Sequence, residues 1–160
     1  MALFAKEQSA PAPLPLSHER ILAVLDRREW KYDVDSDGDI GGWWDGHWFY
    51  FFREGPAKEI LYVRGTWGRK VAPDAKGRLT ELVNGWHLER MWPKGIVRVT
   101  DDGEVRVHSE HAVDYEFGVT DEQILQHLEC AISTGVQLFD HLDEHFPDEA
   151  AAARAEQGQS

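Results

Sequence analysis

The strongest hydrophobic pattern in the chain is residues 40–52, which carry seven large aromatic side chains around an Asp-Gly pair. An Asp-Gly pair between two hydrophobic runs is typical of a two-residue β-hairpin turn, because both central residues adopt positive φ there. The stretch therefore predicts two antiparallel strands with Trp44 opposite His47. Gly41 and Gly42 then face the rings of Tyr50 and Phe49, and we expect their missing side chains to leave room for those two rings to lie across the strand.

The second strand of this hairpin is apolar on both of its faces. An antiparallel sheet usually buries one face and leaves the other in water. A strand that is apolar on both faces is therefore expected in the centre of the sheet, with helices on one side and more of the chain, a second subunit or a ligand on the other. Strand alternation gives His47, Phe49 and Phe51 on one face, and Trp48, Tyr50 and Phe52 on the other.

Helical and strand patterns alternate along the rest of the chain. Ser17 and Thr120 are typical helix N-caps, because each precedes an amphipathic segment with acidic residues in its first turn. Asp102-Gly103 predicts a second hairpin. The fold class is α+β, in the order helix, four-strand antiparallel meander, helix, two-strand hairpin and helix. The predicted elements are a helix over 17–28, strands over 30–34, 40–44, 47–52 and 58–67, a helix from 74 to at most 92, strands over 95–100 and 104–111, and a helix over 121–146.

Two terminal segments are predicted to lie outside a single domain of residues 17–147. Residues 1–16 contain alternating prolines, which disfavour helix and sheet and predict a disordered, extended arm. Residues 148–160 are rich in Ala, Glu and Gln and have little apolar surface to bury, which predicts a disordered tail. Within the last helix, Gly135 stands among apolar positions, where glycine costs about 1 kcal/mol relative to alanine. The close approach of another backbone would explain this glycine.

The formal net charge of −12 is unevenly distributed over the 160 residues. Residues 58–106 carry ten basic and seven acidic side chains, whereas residues 107–160 carry one basic and twelve acidic side chains. A charge of this sign disfavours nonspecific binding to nucleic acid and to anionic membranes, since both depend on neutralising phosphates. The acidic C-terminal helix is then either a solvated face paired with the basic middle or a docking surface for a basic partner.

The single cysteine, Cys130, excludes an intrachain disulfide and favours a reducing, cytoplasmic compartment. His127 lies three residues before it, so a thiolate–imidazolium pair is conceivable, although an inert, buried cysteine is the simpler interpretation. The first residues do not have the pattern of a secretory signal, and no stretch reaches transmembrane length. We therefore expect neither secretion nor membrane insertion.

Two motifs have the spacing of metal sites. His141, Glu144 and His145 match the H-x-x-E-H spacing of zinc proteases, in which two His bind the metal and the Glu activates water. A metal-dependent hydrolase is therefore the alternative hypothesis, although a third fixed ligand is missing. Residues 33–38 begin like a calcium loop, but the bidentate Glu at its twelfth position is absent. The sequence predicts no cofactor and no catalytic residue.

Five short motifs of turn and core residues resemble one family. They are Asp37-Gly38-Asp39 with Gly42-Trp43-Trp44-Asp45-Gly46, residues 60–67 (ILYVRGTW), residues 84–94 (NGWHLERMWPK), residues 110–114 (EHAVD) and residues 118–123 (GVTDEQ). Together they resemble the YbjN-domain family over residues 17–147, and most closely its actinobacterial members, which are labelled sensory transduction regulators. The resemblance implies a fold similar to that of type III secretion chaperones, which are often homodimeric, bind partner polypeptides and catalyse no reaction.

The leading hypothesis is a cytoplasmic, non-enzymatic protein-binding or regulatory protein of chaperone-like type that forms a homodimer. It would bind itself or a partner polypeptide through the second aromatic face of the central hairpin or through the region of the second helix. The candidate contact residues are Trp48, Tyr50, Arg64, Trp67, Trp86, Arg90 and Trp92.

Overall fold

The computed structural model describes residues 12–158, which form one six-stranded antiparallel sheet with helices packed on one side. The elements are α1 His18–Arg27, β1 Asp33–Val34, β2 Ile40–Trp44, β3 His47–Glu54, β4 Ile60–Thr66, α2 Lys76–Glu89, β5 Lys94–Val99, β6 Val105–Asp114, α3 Asp121–His145 and α4 Pro147–Gln157. The strands lie in the order β1-β2-β3-β4-β6-β5. The β5–β6 hairpin therefore joins the sheet through β6, which makes β5 an edge strand.

The central hairpin has the register that its turn predicts. Trp44 pairs with His47, and the predicted pairing is confirmed along the whole of β2, up to the pair of Ile40 with Phe51. Asp45 and Gly46 have φ values of 49° and 76°, the positive values that a type I′ turn requires. A local sequence signal thus determines the arrangement of the strands at the centre of the sheet.

The two glycines of β2 make room for aromatic rings, but these are the rings of Trp48 and Trp44 and not the predicted rings of Tyr50 and Phe49. A Cβ added at Gly41 would lie 2.3 Å from the ring of Trp48, and one added at Gly42 would lie 2.7 Å from the ring of Trp44. The ring of Trp48 thus lies across its diagonal neighbour on β2, and the ring of Trp44 lies back over Gly42 of its own strand. The two glycines allow β2 to carry large rings on both of its faces.

Helices α1, α2 and α3 cover one face of the sheet. Helix α3 crosses β4 and β6, and α2 packs on β5, where Gly95 leaves room for Val83. Helix α1 packs against α3 and contributes Ile21 to the same core. The face of β3 that carries Phe49 and Phe51 is fully buried beneath these helices.

The ring of Phe49 lies between two glycines, Gly65 of β4 and Gly135 of α3. A Cβ added at either glycine would come within 2.5 Å or 2.8 Å of the ring, respectively, and equally close to the hydroxyl of Ser109. The predicted close approach at Gly135 is therefore present. It involves side chains of the sheet, so the expectation of a second backbone is wrong.

Gly135→Ala is expected to lower the free energy of unfolding by up to about 2 kcal/mol. Overpacking of a filled core costs about 1–3 kcal/mol, and the gain of about 1 kcal/mol in helix propensity offsets only part of it. Gly85 of α2 is the matched control, because an added Cβ there would meet nothing within 4 Å. Gly85→Ala is expected to stabilise the protein by about 0.5–1 kcal/mol. Urea denaturation of both variants measures the difference, and a stabilised Gly135→Ala variant would contradict this packing.

Residues 12–16, the described end of the predicted disordered arm, are held against the domain. Leu14 exchanges two backbone hydrogen bonds with Val119, at 3.1 Å and 2.8 Å. The guanidinium of Arg20 donates to the carbonyls of Leu14 and Pro15, both at 2.8 Å, and Leu16 is buried. The prediction is corrected for these residues because the unpaired carbonyls of a Pro-rich segment find an arginine partner. Residues 1–11 lie outside the described residues.

The segment after Pro147 forms helix α4 and corrects the prediction of a disordered tail. Ala and Glu have high helix propensity, and Pro147 suits the first helical position. Ala150 is buried against the domain, Arg154 donates to Asp143 at 3.2 Å, and Gln157 donates to the carbonyl of Gly46 at 3.2 Å. The tail is ordered by these few contacts and not by a large apolar surface.

A buried ion pair joins α3 to the segment after β4. The carboxylate of Asp143 accepts from Nε of Arg69 at 3.0 Å and from its Nη2 at 2.7 Å. The indole N–H of Trp67 donates to the same carboxylate at 2.8 Å. Only 3% of the Arg69 side chain and 7% of the Asp143 side chain are exposed. These partners are more than 70 residues apart in sequence, so no local pattern indicates the pair.

Candidate protein-binding face

The face of the sheet opposite the helices carries a group of aromatic side chains. The strand register places Trp43, Trp48, Tyr50, Phe52 and Tyr62 together on this side, which we call the aromatic face. Trp43 is 62% exposed, and the other four are half-buried. Within residues 12–158, helices α1, α2 and α3 all pack on the other side, so none of them covers this face.

The rings of the aromatic face pack against one another. Tyr50 stacks on Phe52 with centroids 5.1 Å apart, and Phe52 stacks on Tyr62 at 5.9 Å. Trp48 meets both Trp43 and Tyr50 edge to face, at 5.2 Å and 5.5 Å. Because the faces of the stacked rings contact one another, the edges of the rings point outward. The result is a continuous apolar surface and not a set of separate stacking platforms.

Charged side chains border the rings on β4, β5 and β6. Arg64 donates to the Tyr62 hydroxyl at 2.7 Å and lies 3.6 Å from the carboxylate of Glu110. Lys94 donates to the other oxygen of Glu110 at 3.0 Å. The guanidinium of Arg64 also lies 5.2 Å from the Tyr62 ring centroid and 6.0 Å from that of Phe52. Positively and negatively charged side chains thus both lie beside the rings.

Glu110 is ionised in this arrangement. Burial on its own raises the pKa of Glu110, but hydrogen bonds with Tyr62 and Lys94 and the charges of Lys94 and Arg64 outweigh that effect. The pKa therefore lies below its usual value. Glu110, which lies between Arg64 and Lys94, thus retains its negative charge over the physiological pH range.

The aromatic face is close to neutral, in contrast to the chain as a whole. By strand alternation it carries four basic side chains, Arg64, Lys94, Arg98 and Arg106, and four acidic ones, Asp33, Glu54, Glu110 and Asp114. The whole chain has a formal net charge of −12. This face is therefore a part of the surface on which a second negatively charged molecule would meet little repulsion.

Three of the predicted contact residues lie together on the aromatic face, and two others are corrected. Trp48, Tyr50 and Arg64 are neighbours there. Trp67 is buried in the core, with 1% of its surface exposed. Trp86 is 4% exposed and lies beneath the guanidinium of Arg90. A tryptophan at strand or helix spacing gives the same sequence pattern whether its side chain contacts a partner or the protein core. Sequence reasoning missed Tyr62, Glu110 and Lys94 as neighbours, because only the pairing of β4 with β6 brings them together.

The remaining predicted contacts, Arg90 and Trp92, lie at the end of α2. The Arg90 guanidinium lies 4.4 Å from the Trp86 ring centroid, and the Trp86 indole donates to the carbonyl of Trp92 at 3.3 Å. Leu88, Met91 and Trp92 are 89%, 81% and 49% exposed. These three form a second, smaller apolar surface on the helical side of the sheet.

The residues of the H-x-x-E-H motif do not assemble a site. Nδ1 of His145 lies 2.9 Å from the backbone carbonyl of His141, one turn earlier, and the His141 ring packs 5.6 Å from that of Trp86. Within residues 12–158, no group of three or more His, Cys, Asp or Glu side chains is placed to hold a metal ion. The carboxylate of Asp35 in the calcium-like segment instead accepts the N–H groups of Asp37 and Asp39 and closes a turn.

Cys130 and His127 do not form a charged nucleophilic pair. Burial raises the pKa of the Cys130 thiol and lowers the pKa of His127, so both neutral forms are favoured. Nδ1 of His127 is hydrogen-bonded to the hydroxyl of Tyr115 at 2.6 Å. The histidine is thus engaged with another residue, and the thiol is not activated.

Comparison with known proteins identifies the family. A family model for YbjN, described as "Putative bacterial sensory transduction regulator", matches residues 17–144. The chain belongs to the YbjN family. The match begins at the N-cap of α1 and ends at the last turn of α3, so it includes every strand of the sheet and excludes α4. The resemblance drawn from the sequence motifs is confirmed at the level of the family.

Two solved structures resemble the fold of this chain. The crystal structure of YbjN from E. coli, described as "a putative transcription regulator", has a TM-score of 0.72 at 12% identity, covering 84% of this chain and 96% of that chain. An uncharacterized protein from Methanothermobacter thermautotrophicus has a TM-score of 0.56 at 12% identity, covering 82% of this chain and 99% of that chain. No curated protein matches the chain. At such identities the likeness concerns the fold alone.

Proposed function

We propose that this YbjN-family chain is a non-enzymatic regulatory protein that acts by binding polypeptides, and that it forms a homodimer through the aromatic face. The observation that carries the proposal is the uncovered cluster of Trp43, Trp48, Tyr50, Phe52 and Tyr62. Contiguous exposed apolar surface on a soluble domain marks interaction sites. The family resemblance to secretion chaperones supports a polypeptide-binding role by analogy only.

The size of the aromatic face suits a second copy of the chain. Six strands about 4.8 Å apart and about seven residues long span roughly 25 Å by 25 Å, and about 800 Å² per partner is typical of a stable interface. Two such faces would pack about 10 Å apart, as the sheets of a β-sandwich do. The projected area of the sheet is about 600 Å², somewhat below that figure, so the face on its own would sustain a modest dimer.

The charge pattern also favours a second copy. A two-fold interface places the same patch on both subunits, so each patch needs both members of every complementary pair. Arg64, Glu110 and Lys94 stand side by side in one row across β4, β6 and β5. A two-fold rotation can therefore bring each carboxylate near a cation of the other copy. Contact through the acidic α3 side would instead oppose like charges.

The ring geometry disfavours single-stranded nucleic acid as the occupant. Such ligands stack their bases on free aromatic ring faces. Here the flat sides of Tyr50, Phe52 and Tyr62 are already used on each other. A surface of ring edges suits the side chains of a protein partner better than it suits bases.

The replacement of both Trp48 and Tyr50 by Ser tests the proposal. We expect the wild-type chain to be a dimer in sedimentation equilibrium and the double variant to dissociate with a Kd at least about 100-fold higher, since central aromatic residues dominate interface energy. The matched control is Leu88→Ser with Met91→Ser, which removes exposed apolar surface from α2 and leaves the dimer intact. A monomeric wild type, or a double variant as dimeric as the control, would contradict the proposal.

The end of α2 is the proposed contact for a partner polypeptide. Arg90 and Trp92 were named from the sequence for this role, and Trp92 stands beside the exposed side chains of Leu88 and Met91. We further propose that the protein acts in the cytoplasm, which the lone Cys130 supports. Within residues 12–158, no helix is long and apolar enough to cross a membrane.

A further inference from the structure

A groove on the helical side of the sheet is separate from the aromatic face. It has a volume of about 410 Å³ and lies between the central hairpin and helix α3. Trp30 and Trp44 form one wall, with their rings edge to face at 5.7 Å. Ile132 and Val136 of α3 form the other wall. Trp44 also packs on Phe51, so this wall is fixed by the core.

Two acidic side chains and one basic side chain, Arg28, line the groove. Asp45 stands at one end, in the turn between β2 and β3, and Glu129 stands at the other. At 100° per residue, Glu122, Glu129, Asp140 and Glu144 lie within about 40° of one line along the outer side of α3. Glu122 and Glu129 are paired with arginines of α1, so the unbalanced negative charge is concentrated toward Asp140 and Glu144.

The electrostatic potential near the hairpin end of the groove is negative. Burial raises the pKa of Asp140, and the carboxylates of Asp143 and Asp45 raise it further, whereas the charge of Arg69 opposes them only in part. A carboxyl group whose neighbours disfavour its ionisation would gain from a cation placed beside it.

We propose that this groove binds a basic polypeptide segment, with one large apolar side chain held between Trp30, Trp44 and Val136 and with Lys or Arg side chains against Asp45 and Asp140. The carboxylates of Asp140 and Asp45 lie near each other at the hairpin end of the groove, next to its apolar walls. Negative charge and apolar surface thus adjoin, which suits a polypeptide that carries basic and apolar side chains together. Anionic ligands, including nucleic acids, are repelled by the same charges.

The groove and the aromatic face are on opposite sides of the sheet. Trp44 projects to the helical side, whereas Trp43 and Trp48 project to the aromatic face. A dimer formed through the aromatic face would therefore leave one groove open on each subunit. The inference does not depend on dimer formation, and a monomeric chain would bind the same segment.

Fluorescence anisotropy with the full-length chain tests the groove. The probe is a fluorescein-labelled 14-residue amphipathic peptide made only of Leu and Lys, and a Leu and Glu peptide of the same pattern is the negative probe. We expect the Lys probe to bind and the Glu probe to fail. Ser133 is exposed on the groove lining, and Ser133→Trp fills the space. This variant is expected to weaken binding of the Lys probe about tenfold or more.

A pair of charge variants separates the groove from general attraction to a negative protein. Asp45→Asn with Asp140→Asn is expected to weaken binding about tenfold. Asp101→Asn with Glu116→Gln makes the same change in net charge at exposed turns away from the groove, and is expected to change the Kd less than about twofold. Equal losses in the two charge variants, or full binding by Ser133→Trp, would overturn the proposal. Both outcomes are independent of the dimer measured by sedimentation.

Discussion

Asp143→Ala is expected to lower the free energy of unfolding by about 3–5 kcal/mol, since removing one partner of a buried ion pair leaves an uncompensated buried charge. Asp143 accepts hydrogen bonds from Arg69 at 2.7 Å and 3.0 Å and from Trp67 at 2.8 Å. The variant would leave the Arg69 guanidinium, whose side chain is 3% exposed, without a counter-charge. It would also leave the buried indole N–H of Trp67 without an acceptor.

Guanidinium chloride denaturation measures this loss, with variants on the same helix and on the same carboxylate as controls. Asp140→Ala removes an exposed carboxylate from α3 and is expected to cost less than about 0.5 kcal/mol. Arg154→Ala removes the outer partner, whose side chain is 63% exposed, and is expected to cost at most about 1 kcal/mol. Asp143→Leu combined with Arg69→Met is expected to recover much of the loss, because both charges leave together. An Asp143→Ala variant within 1 kcal/mol of wild type would refute this account of the pair.

Acidification from pH 7 to pH 4 is expected to remove about 3 kcal/mol of stability through His47 alone. His47 is 1% exposed, its Nδ1 accepts the N–H of Gly68 at 3.0 Å, and its ring packs 4.7 Å from that of Phe139. Burial, reinforced by the charge of Arg69, lowers the pKa of His47 from 6.5 to about 4. Between these two pKa values the unfolded chain binds a proton that the folded chain does not, so stability falls as the pH falls, by about 1.4 kcal/mol per pH unit.

Urea denaturation at a series of pH values and one protein concentration tests this dependence. His47→Asn is the informative variant, because its side-chain oxygen can take the place of Nδ1 and still accept from Gly68, yet it does not titrate. Burial also lowers the pKa of His108, His111 and His127, so some slope is expected to remain in the variant. The variant is expected to lose less stability than wild type between pH 7 and pH 4. Equal losses would show that His47 is not held neutral in the fold.

The sequence predicted those parts of the fold that local chemistry determines. The Asp45-Gly46 turn was sufficient for the register of β2 and β3, and the Ser17 and Thr120 side chains cap α1 and α3 as predicted. Trp30 was expected in a strand, but β1 is limited to Asp33–Val34. The backbone N–H of Trp30 instead donates to the last turn of α1, at 3.1 Å from the carbonyl of Leu25.

The candidate site could be predicted only in part, because it depends on strands that are distant in sequence. Trp48 and Tyr50 follow from alternation within one hairpin. The row that joins Arg64 to Glu110 depends on pairing across 46 residues, which no turn signal determines. Trp67 and Trp86 were predicted as contact residues and are buried in the core, since tryptophan is equally suited to cores and to interfaces. Only the positions of the helices decide between these roles.

The most direct test of the central claim is site-specific photo-cross-linking of the purified full-length chain. The photoreactive residue p-benzoylphenylalanine is introduced in place of Tyr62, on the aromatic face, and separately in place of Leu88, on α2. Illumination at micromolar concentration is expected to yield a covalent dimer from position 62 and none from position 88. Cross-linking at position 88 without any at position 62, or at neither position, would contradict the proposal that two copies meet through the aromatic face.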